Sequence, residues 1–159
     1  MKRSIYLETT IISYLAARPA NDPISLMRQT ITRDWWQLRR SDFEPIISDI
    51  VLQEIQRGDA DAALRRLEMV KDIPALPVTE ESVRLSELLV TDGPIPAGYP
   101  EDVLHIALCA VNSIEFLLTW NCTHIANAAI RYELEVHIDR MGYDCPIICT
   151  PEELMESLS

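Results

Sequence analysis

Three acidic residues and one amide occupy equivalent places along this chain of 159 residues. Glu8 directly follows the first predicted strand, Glu54 lies inside the helix after the second strand, and Asp102 opens the most apolar helix. Asn121 ends the short apolar strand that follows this helix. Because the carboxyl ends of parallel strands lie at the same edge of a sheet, we expect these four side chains to meet there.

Carboxylates that converge at one edge repel each other, so they either raise each other's pKa or bind a cation. Oxygen ligands without Cys or His select Mg²⁺ or Mn²⁺, and Mg²⁺ usually keeps water and substrate phosphate among its ligands. Such an ion lowers the pKa of an attacking water and stabilises an in-line displacement at phosphorus. The residue types therefore indicate metal-assisted hydrolysis of a phosphate ester.

The helix that carries Asp102 has a clear start signal and an apolar body. Pro100 has no N–H and suits the first turn of a helix, where Glu101 and Asp102 favour the positive end of the helix dipole. Only His105 is polar within residues 103–111, so this helix should be buried on nearly every face. A core histidine with satisfied hydrogen bonds is the expected role of His105.

Short apolar runs alternate with helical patterns along the whole chain. The predicted strands cover residues 4–7, 43–47, 116–119 and 145–149, and residues 73–78 form an edge strand or an extended connector because they include prolines. The predicted helices cover residues 11–17, 24–40, 50–58, 60–70, 80–90, 100–111 and 123–141, and a short helix opens at residue 150. This order predicts a single domain over residues 1–159, a three-layer α/β/α sandwich with a central, mostly parallel sheet.

The net charge of −11 is unevenly distributed along the chain. Residues 1–71 carry 11 Lys and Arg against 10 Asp and Glu, whereas residues 72–159 carry 3 against 15. The acidic average argues against a protein that coats DNA non-specifically. The basic side chains are mostly Arg, which suits phosphate recognition, so a nucleic-acid substrate is compatible with the composition.

The four cysteines, Cys109, Cys122, Cys145 and Cys149, form no C-x-x-C pair. Without a visible signal peptide, we expect reduced thiols in a cytoplasmic protein rather than disulfides or a zinc site. No apolar run approaches the ~20 residues that a membrane span needs. We therefore expect no membrane association.

Four segments carry these features in a recognisable order. They are Ile5-Tyr-Leu-Glu-Thr-Thr-Ile-Ile, Ser48-Asp-Ile-Val-Leu-Gln-Glu-Ile, Glu101-Asp-Val-Leu-His-Ile-Ala-Leu-Cys-Ala and Leu117-Leu-Thr-Trp-Asn. Together they resemble the PIN-domain family of metal-dependent ribonucleases, particularly the VapC-type toxins of bacterial toxin–antitoxin pairs. No single segment is specific, but the order and spacing of all four agree with the family across residues 4 to 150.

The resemblance places the functional positions of the family on five residues of this chain. They are Glu8, Glu54, Asp102, Thr119 and Asn121. It implies a Mg²⁺ or Mn²⁺ ion bound by Glu8 and Asp102, with Glu54 acting either as a third ligand or as the residue that orients water. It also implies hydrolysis of an RNA phosphodiester. Glu8 stands where the family normally has Asp, and Asn121 stands where it has an acid.

The leading hypothesis is therefore a Mg²⁺- or Mn²⁺-dependent endoribonuclease, the toxin of a toxin–antitoxin pair. Its expected partners are an RNA substrate, an antitoxin protein and a second copy of the chain, and the helices at 24–40 and 60–70 are the expected association surfaces. The replacements at Glu8 and Asn121 motivate an alternative, a PIN-like module with weakened catalysis that binds RNA or protein. A flavodoxin-like or receiver-type module is disfavoured because no Gly-rich phosphate loop follows the first strand.

Several residues near these positions are weaker candidates for contact with RNA. His124 and Asn127 could contact the substrate. Trp36 and Trp120 could stack on a base, although packing is their expected role. Four arginines could bind RNA phosphates or the acids of an antitoxin, although a solvated helix face is the default: Arg28, Arg33, Arg39 and Arg40.

Overall fold

The computed structural model describes residues 1–156, and its centre is a five-stranded sheet in which every strand pair is parallel. The strands are β1 (Arg3–Leu7), β2 (Phe43–Ser48), β3 (Ala75–Leu76), β4 (Phe116–Leu118) and β5 (Ile147–Cys149). In space they run β3-β2-β1-β4-β5. The predicted α/β fold with a parallel sheet is confirmed, and the proline-containing segment at 73–78 supplies the short edge strand β3.

Seven α-helices in the described part of the chain form two groups. They are α1 (Thr9–Ala16), α2 (Pro23–Leu38), α3 (Asp49–Ile55), α4 (Ala60–Val70), α5 (Glu80–Thr91), α6 (Pro100–Val111) and α7 (Ala128–Arg140). Helix α1 packs on α2, α3 and α4, whereas α5 packs on α6 and α7. The chain moves from β1 to β2 to β3 in one direction and then crosses to β4 and β5. Right-handed crossovers therefore place the two helix groups on opposite faces of the sheet.

Strand β1 and helix α6 lie at the centre of the hydrophobic core. Ile5, Tyr6 and Leu7 of β1 are 0 % exposed, and so is every residue from His105 to Cys109 in α6. Burying one large aliphatic side chain in this way contributes roughly 1.5–3 kcal/mol. The buried helix predicted from the apolar run is confirmed. It has 12 residues, and no helix within residues 1–156 is both long and apolar enough to cross a membrane.

Side-chain caps determine where several helices begin. The Ser48 hydroxyl at the end of β2 accepts a hydrogen bond from the Val51 N–H at 3.3 Å and starts α3. Thr79 and Ser82 form a reciprocal capping box at the start of α5. These caps satisfy N–H groups that the first turn of a helix leaves without intrahelical partners.

The helix predicted for residues 123–141 begins later, at Ala128, so the prediction is wrong for its first residues. The N–H groups of Ile125 and Ala126 both donate to the carbonyl oxygen of Asn121, at 3.2 and 2.8 Å, which closes a tight turn after β4. The Asn127 side chain then accepts from the Ala129 N–H at 2.9 Å and caps α7. The chain therefore stays folded over the end of β4 before the helix starts.

Other predicted boundaries are too long. The helix predicted for 24–40 ends at Leu38, and the helix predicted for 50–58 ends at Ile55. The strand predicted for 145–149 pairs only from Ile147, because Pro146 has no N–H to donate. The helix predicted from Thr150 forms its expected cap with Glu153 but continues as turns to residue 156, and residues 157–159 lie outside the described residues.

Candidate functional site

The ends of β1 and β4 lie side by side at the carboxyl edge of the sheet. Strands β2 and β3 extend the sheet on one side of β1, and β4 and β5 extend it on the other side. The gap between β1 and β4 is therefore a topological switch point, where open α/β sheets bind ligands. Glu8 directly follows β1 and Thr119 directly follows β4. The Glu8 N–H donates to the Leu118 carbonyl oxygen at 3.1 Å. Strand pairing alone therefore brings two of the five predicted positions together.

The Glu8 carboxylate is buried and is held by hydroxyl groups. The residue is 4 % exposed. Its Oε1 accepts hydrogen bonds from Oγ1 of Thr10 at 2.5 Å and Oγ1 of Thr119 at 2.6 Å, and its Oε2 accepts from the Thr10 N–H at 3.2 Å. Within residues 1–156, no Lys, Arg or His forms an ion pair with it. Because a buried carboxylate without a cationic partner is costly, Glu8 is a position where a bound cation would be stabilising.

Glu54 lies at the end of a buried chain of hydrogen bonds. Oγ of Ser48 is 2.7 Å from Oη of Tyr6, and Oη of Tyr6 is 2.6 Å from Nδ1 of His105. Nε2 of His105 is 2.6 Å from Oε1 of Glu54, which also accepts from the Thr9 hydroxyl at 2.8 Å. Ser48, Tyr6 and His105 are 0 % exposed. We call these four side chains, Ser48, Tyr6, His105 and Glu54, the buried relay.

The direction of the hydrogen bonds in the buried relay follows from the charge of Glu54. A carboxylate only accepts hydrogen bonds, so we assign a proton to Nε2 of His105. In the tautomer that carries its proton on Nε2 alone, Nδ1 accepts from the Tyr6 hydroxyl, which in turn accepts from the Ser48 hydroxyl. All the donors point towards Glu54, so the relay holds its carboxylate in one orientation.

The environment shifts the pKa of two members of the relay in opposite directions. Partial burial would raise the pKa of Glu54, but the contact with His105 and the hydrogen bond from Thr9 outweigh burial, so the pKa is lowered from its usual value. Burial raises the pKa of Tyr6 well above its usual value, and the negative charge of nearby glutamates acts in the same direction. At neutral pH Glu54 is therefore ionised and Tyr6 remains a hydrogen-bond donor.

Asp102 and Asn121 are joined through His124. Oδ2 of Asp102 is 3.0 Å from Nδ1 of His124, and the His124 N–H donates to Oδ1 of Asn121 at 3.1 Å. The ring of Tyr99 stacks on His124 with 3.7 Å between ring centroids. The Asn121 N–H donates to Oγ1 of Thr119 at 2.9 Å, which connects this group to the hydroxyl that holds Glu8. The tight turn after β4 is what places His124 against Asp102.

Glu101 is paired with Arg57 on the rim of the site. Its two carboxylate oxygens accept from the two terminal guanidinium nitrogens of Arg57 at 2.6 and 3.0 Å. The two side chains are 40 % and 60 % exposed, so the pair contributes little to stability. It does neutralise the acid next to Asp102. The sequence identifies Glu101 as an acid at a helix start. Its cationic partner, Arg57, comes two residues after the end of α3.

Hydrogen bonds thus link four of the five predicted positions, and Glu54 is connected to them only through the hydroxyl of Thr9, the residue after Glu8. We call the five positions the acid edge: Glu8, Glu54, Asp102, Thr119 and Asn121. Within residues 1–156, no three His, Cys, Asp or Glu side chains come together as a ready-made metal cage. Mg²⁺ does not require such a cage, because one or two carboxylates usually hold it while water and substrate phosphate complete the octahedron. The oxygen donors of the acid edge, and the uncompensated charge of Glu8, fit a hard divalent cation with few protein ligands.

Sequence reasoning did not find the partners of the carboxylates. His105 is separated from Glu54 by 51 positions and His124 from Asp102 by 22, so neither pair has a local signature. One signal was present for His105, because it is the single polar residue in an apolar stretch and lies one helical turn after Asp102. In the sequence, Tyr6 is an ordinary strand residue and Ser48 is a residue type that caps helices. Nothing in their spacing indicates the relay.

No protein-family model matches this chain, and no curated protein matches it in sequence. Solved structures match it in fold. VapC20 from Mycobacterium tuberculosis, a Sarcin-Ricin loop cleaving toxin, is 18 % identical with a TM-score of 0.59, covering 76 % of this chain and 92 % of its own.

Two further solved structures extend the match over 92 % of this chain. VapBC2 from Rickettsia felis, bound to a DNA fragment from its promoter, is 15 % identical with a TM-score of 0.55 over 98 % of that chain. FitAB bound to the IR36 DNA fragment is 15 % identical with a TM-score of 0.57 over 94 % of that chain. These neighbours are PIN-domain toxin–antitoxin proteins, and the PIN-like fold predicted from the sequence is confirmed.

Proposed function

We propose that this PIN-like chain is a divalent-metal-dependent endoribonuclease and the toxin of a toxin–antitoxin pair. One observation carries the proposal: the buried Glu8 carboxylate has no cationic partner among residues 1–156, and hydrogen bonds through Thr119, Asn121 and His124 connect it to Asp102. Three hydrogen bonds to Glu8 and its position at the N-terminus of α1 stabilise this carboxylate in part, and a divalent cation would compensate the remaining charge. The fold shared with three toxin–antitoxin structures supports the biological setting.

The proposed ligands of Mg²⁺ or Mn²⁺ are Glu8 and Asp102, with Glu54 as a further oxygen donor. When bound, such an ion lowers the pKa of a water molecule and stabilises negative charge that develops on the phosphate. The hydroxyls of Thr10 and Thr119 hold the longer Glu8 side chain by donating to its Oε1. Asn121 keeps an oxygen at the edge, and its Oδ1 accepts from the His124 N–H.

The side chains of this protein orient the reacting groups. Both hydrogen bonds to Glu54, from Thr9 and from His105, end on Oε1. Oε2 of Glu54 is therefore the oxygen that remains to orient a water molecule and to accept its proton. The lowered pKa of Glu54 keeps this carboxylate ionised at neutral pH, as a proton acceptor requires.

The proposed partners are an RNA substrate, an antitoxin and a second copy of the chain, acting in the cytoplasm. Exposed apolar side chains on the helices predicted for association support a protein partner there. On α2, Ile24 and Met27 are 64 % and 52 % exposed, and on α4 Leu64 is 65 % exposed. Exposed apolar groups of this size commonly mark protein interaction sites when they are close together.

A second candidate function is a PIN-like module that binds RNA or protein without efficient catalysis. It is favoured by the absence, within residues 1–156, of a three-ligand metal group and by the existing partners of the carboxylates. Glu54 already contacts His105, and Asp102 already contacts His124.

Manganese titration by calorimetry and cleavage of structured RNA separate the two candidates. We expect the wild type to bind Mn²⁺ weakly and to cleave RNA only with the metal, and Asp102→Asn to lose both properties. Asp139→Asn is the matched control, because Asp139 is an exposed acid on α7. Equal heats for wild type and Asp102→Asn would contradict the metal site. RNA binding without any cleavage would favour the second candidate, and cleavage that survives Asp102→Asn would refute the assigned site.

A further inference from the structure

We infer that Arg28, held over the ring of Trp120, binds an RNA phosphate next to the acid edge. This inference rests on the proposed ribonuclease function and names a contact to its substrate. Arg28 lies on α2, outside the five predicted positions, and its predicted default was a solvated helix face.

Trp120 is tied to the acid edge through its backbone and to α2 through its side chain. It lies between Thr119 and Asn121, and its N–H donates at 2.9 Å to Oγ1 of Thr10, the same hydroxyl that donates to Glu8. Its indole Nε1 donates at 2.7 Å to Oγ1 of Thr32 on α2. Because Trp120 is only 6 % exposed and has both its N–H groups bonded, it holds α2 in a fixed position beside the acid edge.

Arg28 lies one helical turn before Thr32, so the same contact places it over the indole. Its guanidinium carbon is 5.3 Å from the centroid of the Trp120 ring, within the range of a cation–π interaction. Within residues 1–156, Arg28 takes part in no ion pair and its guanidinium donates no hydrogen bond to another side chain or carbonyl group. The guanidinium thus lies over the ring, while its N–H donors have no protein partner among residues 1–156.

Two other arginines, one near the acid edge and one on the same helix, already bind protein groups with part of their guanidinium. Arg57 gives both terminal nitrogens to Glu101, and Arg33 donates to the Ala17 carbonyl oxygen at 2.8 Å. The acid edge is negatively charged and would repel the phosphates of RNA. A cation at its rim adds to the attraction that the proposed metal ion exerts on the RNA backbone, and within residues 1–156 Arg28 has guanidinium donors without a protein partner. A guanidinium stacked on an aromatic ring is pre-organised for two parallel hydrogen bonds to phosphate.

Binding of a short fluorescein-labelled single-stranded RNA, titrated at several KCl concentrations, tests this contact. Asp102→Asn serves as the background, so that cleavage does not disturb the measurement. In that background we expect Arg28→Gln to raise the Kd roughly tenfold, the effect of losing hydrogen bonds to a charged group. We also expect the slope of log Kd against log salt to fall by about 0.7, the value for one phosphate contact on a single strand. The loss should be equal for two unrelated RNA sequences.

Two variants make the result specific. Arg28→Lys keeps the charge and should keep the salt slope while losing part of the affinity, because an ammonium group cannot form the two parallel hydrogen bonds. Arg84→Gln on α5 removes the same charge from an exposed position in the other helix group and should leave the Kd unchanged. An unchanged Kd and slope for Arg28→Gln, with RNA bound by the background protein, would overturn the inference alone. No RNA binding by the background protein would overturn the proposed function and the inference with it.

Discussion

Replacing Tyr6 with Phe would remove one hydroxyl from the middle of the buried relay and leave the ring in place. Two hydrogen bonds disappear, one of 2.7 Å to Ser48 and one of 2.6 Å to His105. Nδ1 of His105 then remains in a fully buried place without a donor, and the Ser48 hydroxyl loses its acceptor. A buried polar group left without its partner costs about 1–3 kcal/mol, so we expect Tyr6→Phe to lower the free energy of unfolding by about 2–3 kcal/mol.

Urea unfolding followed by tryptophan fluorescence measures this loss. With a slope of about 2 kcal/mol per molar urea, the midpoint should fall by roughly 1 M while the slope itself is unchanged. Tyr143→Phe is the matched control, because the Tyr143 hydroxyl also donates one hydrogen bond, at 2.6 Å, to Glu81, but at the surface. Its midpoint should move much less.

The same substitution tests the orienting role of the relay. If the relay holds Glu54, RNA cleavage by Tyr6→Phe should show a lower kcat with little change in KM, because the substrate contacts are intact. A Tyr6→Phe midpoint equal to that of the wild type, or a shift no larger than that of Tyr143→Phe, would refute the reasoning. It would mean that the hydroxyl is not a buried donor to His105.

Two further predictions concern titration and thiol reactivity. The pKa of Glu54 is lowered from its usual value of 4.5, so its contribution to stability is present above that value and is lost as the pH falls through the folded-state pKa. The urea midpoint of the wild type should therefore fall on acidification below about pH 4.5. In Glu54→Gln the midpoint should fall less steeply. An equally steep fall in Glu54→Gln would contradict this assignment. Iodoacetamide at pH 8, followed by peptide mapping, should label the exposed Cys122 first. The other thiols should react slowly, because burial raises the pKa of Cys145 and Cys149 to about 12 and that of Cys109 well above its usual value. Labelling of all four thiols at one rate would contradict the described burial.

Boundaries that depend on neighbouring residues were predictable, and those that depend on distant contacts were not. The caps at Ser48 and Thr79 act over three residues, so the sequence contains all the groups involved. The start of α7 was mispredicted because the Asn121 carbonyl oxygen captures two N–H groups and keeps the chain in a turn. A helical pattern in the sequence does not reveal this competition, because turn and helix use the same N–H groups.

The sequence by itself determined the alternation of strands and helices, the parallel sheet, and the placement of Glu8 and Asn121 at carboxyl ends of strands, whereas the strand order that puts β1 beside β4 comes from the tertiary structure. These features follow from apolar runs and from the topology they allow, which act at short range along the chain. Only the tertiary structure decided which partner each carboxylate has: His105 for Glu54, His124 for Asp102, and hydroxyl groups alone for Glu8. The reason is physical, because such contacts join residues far apart in the sequence and are selected by burial and hydrogen-bond geometry that exist only once the layers have packed.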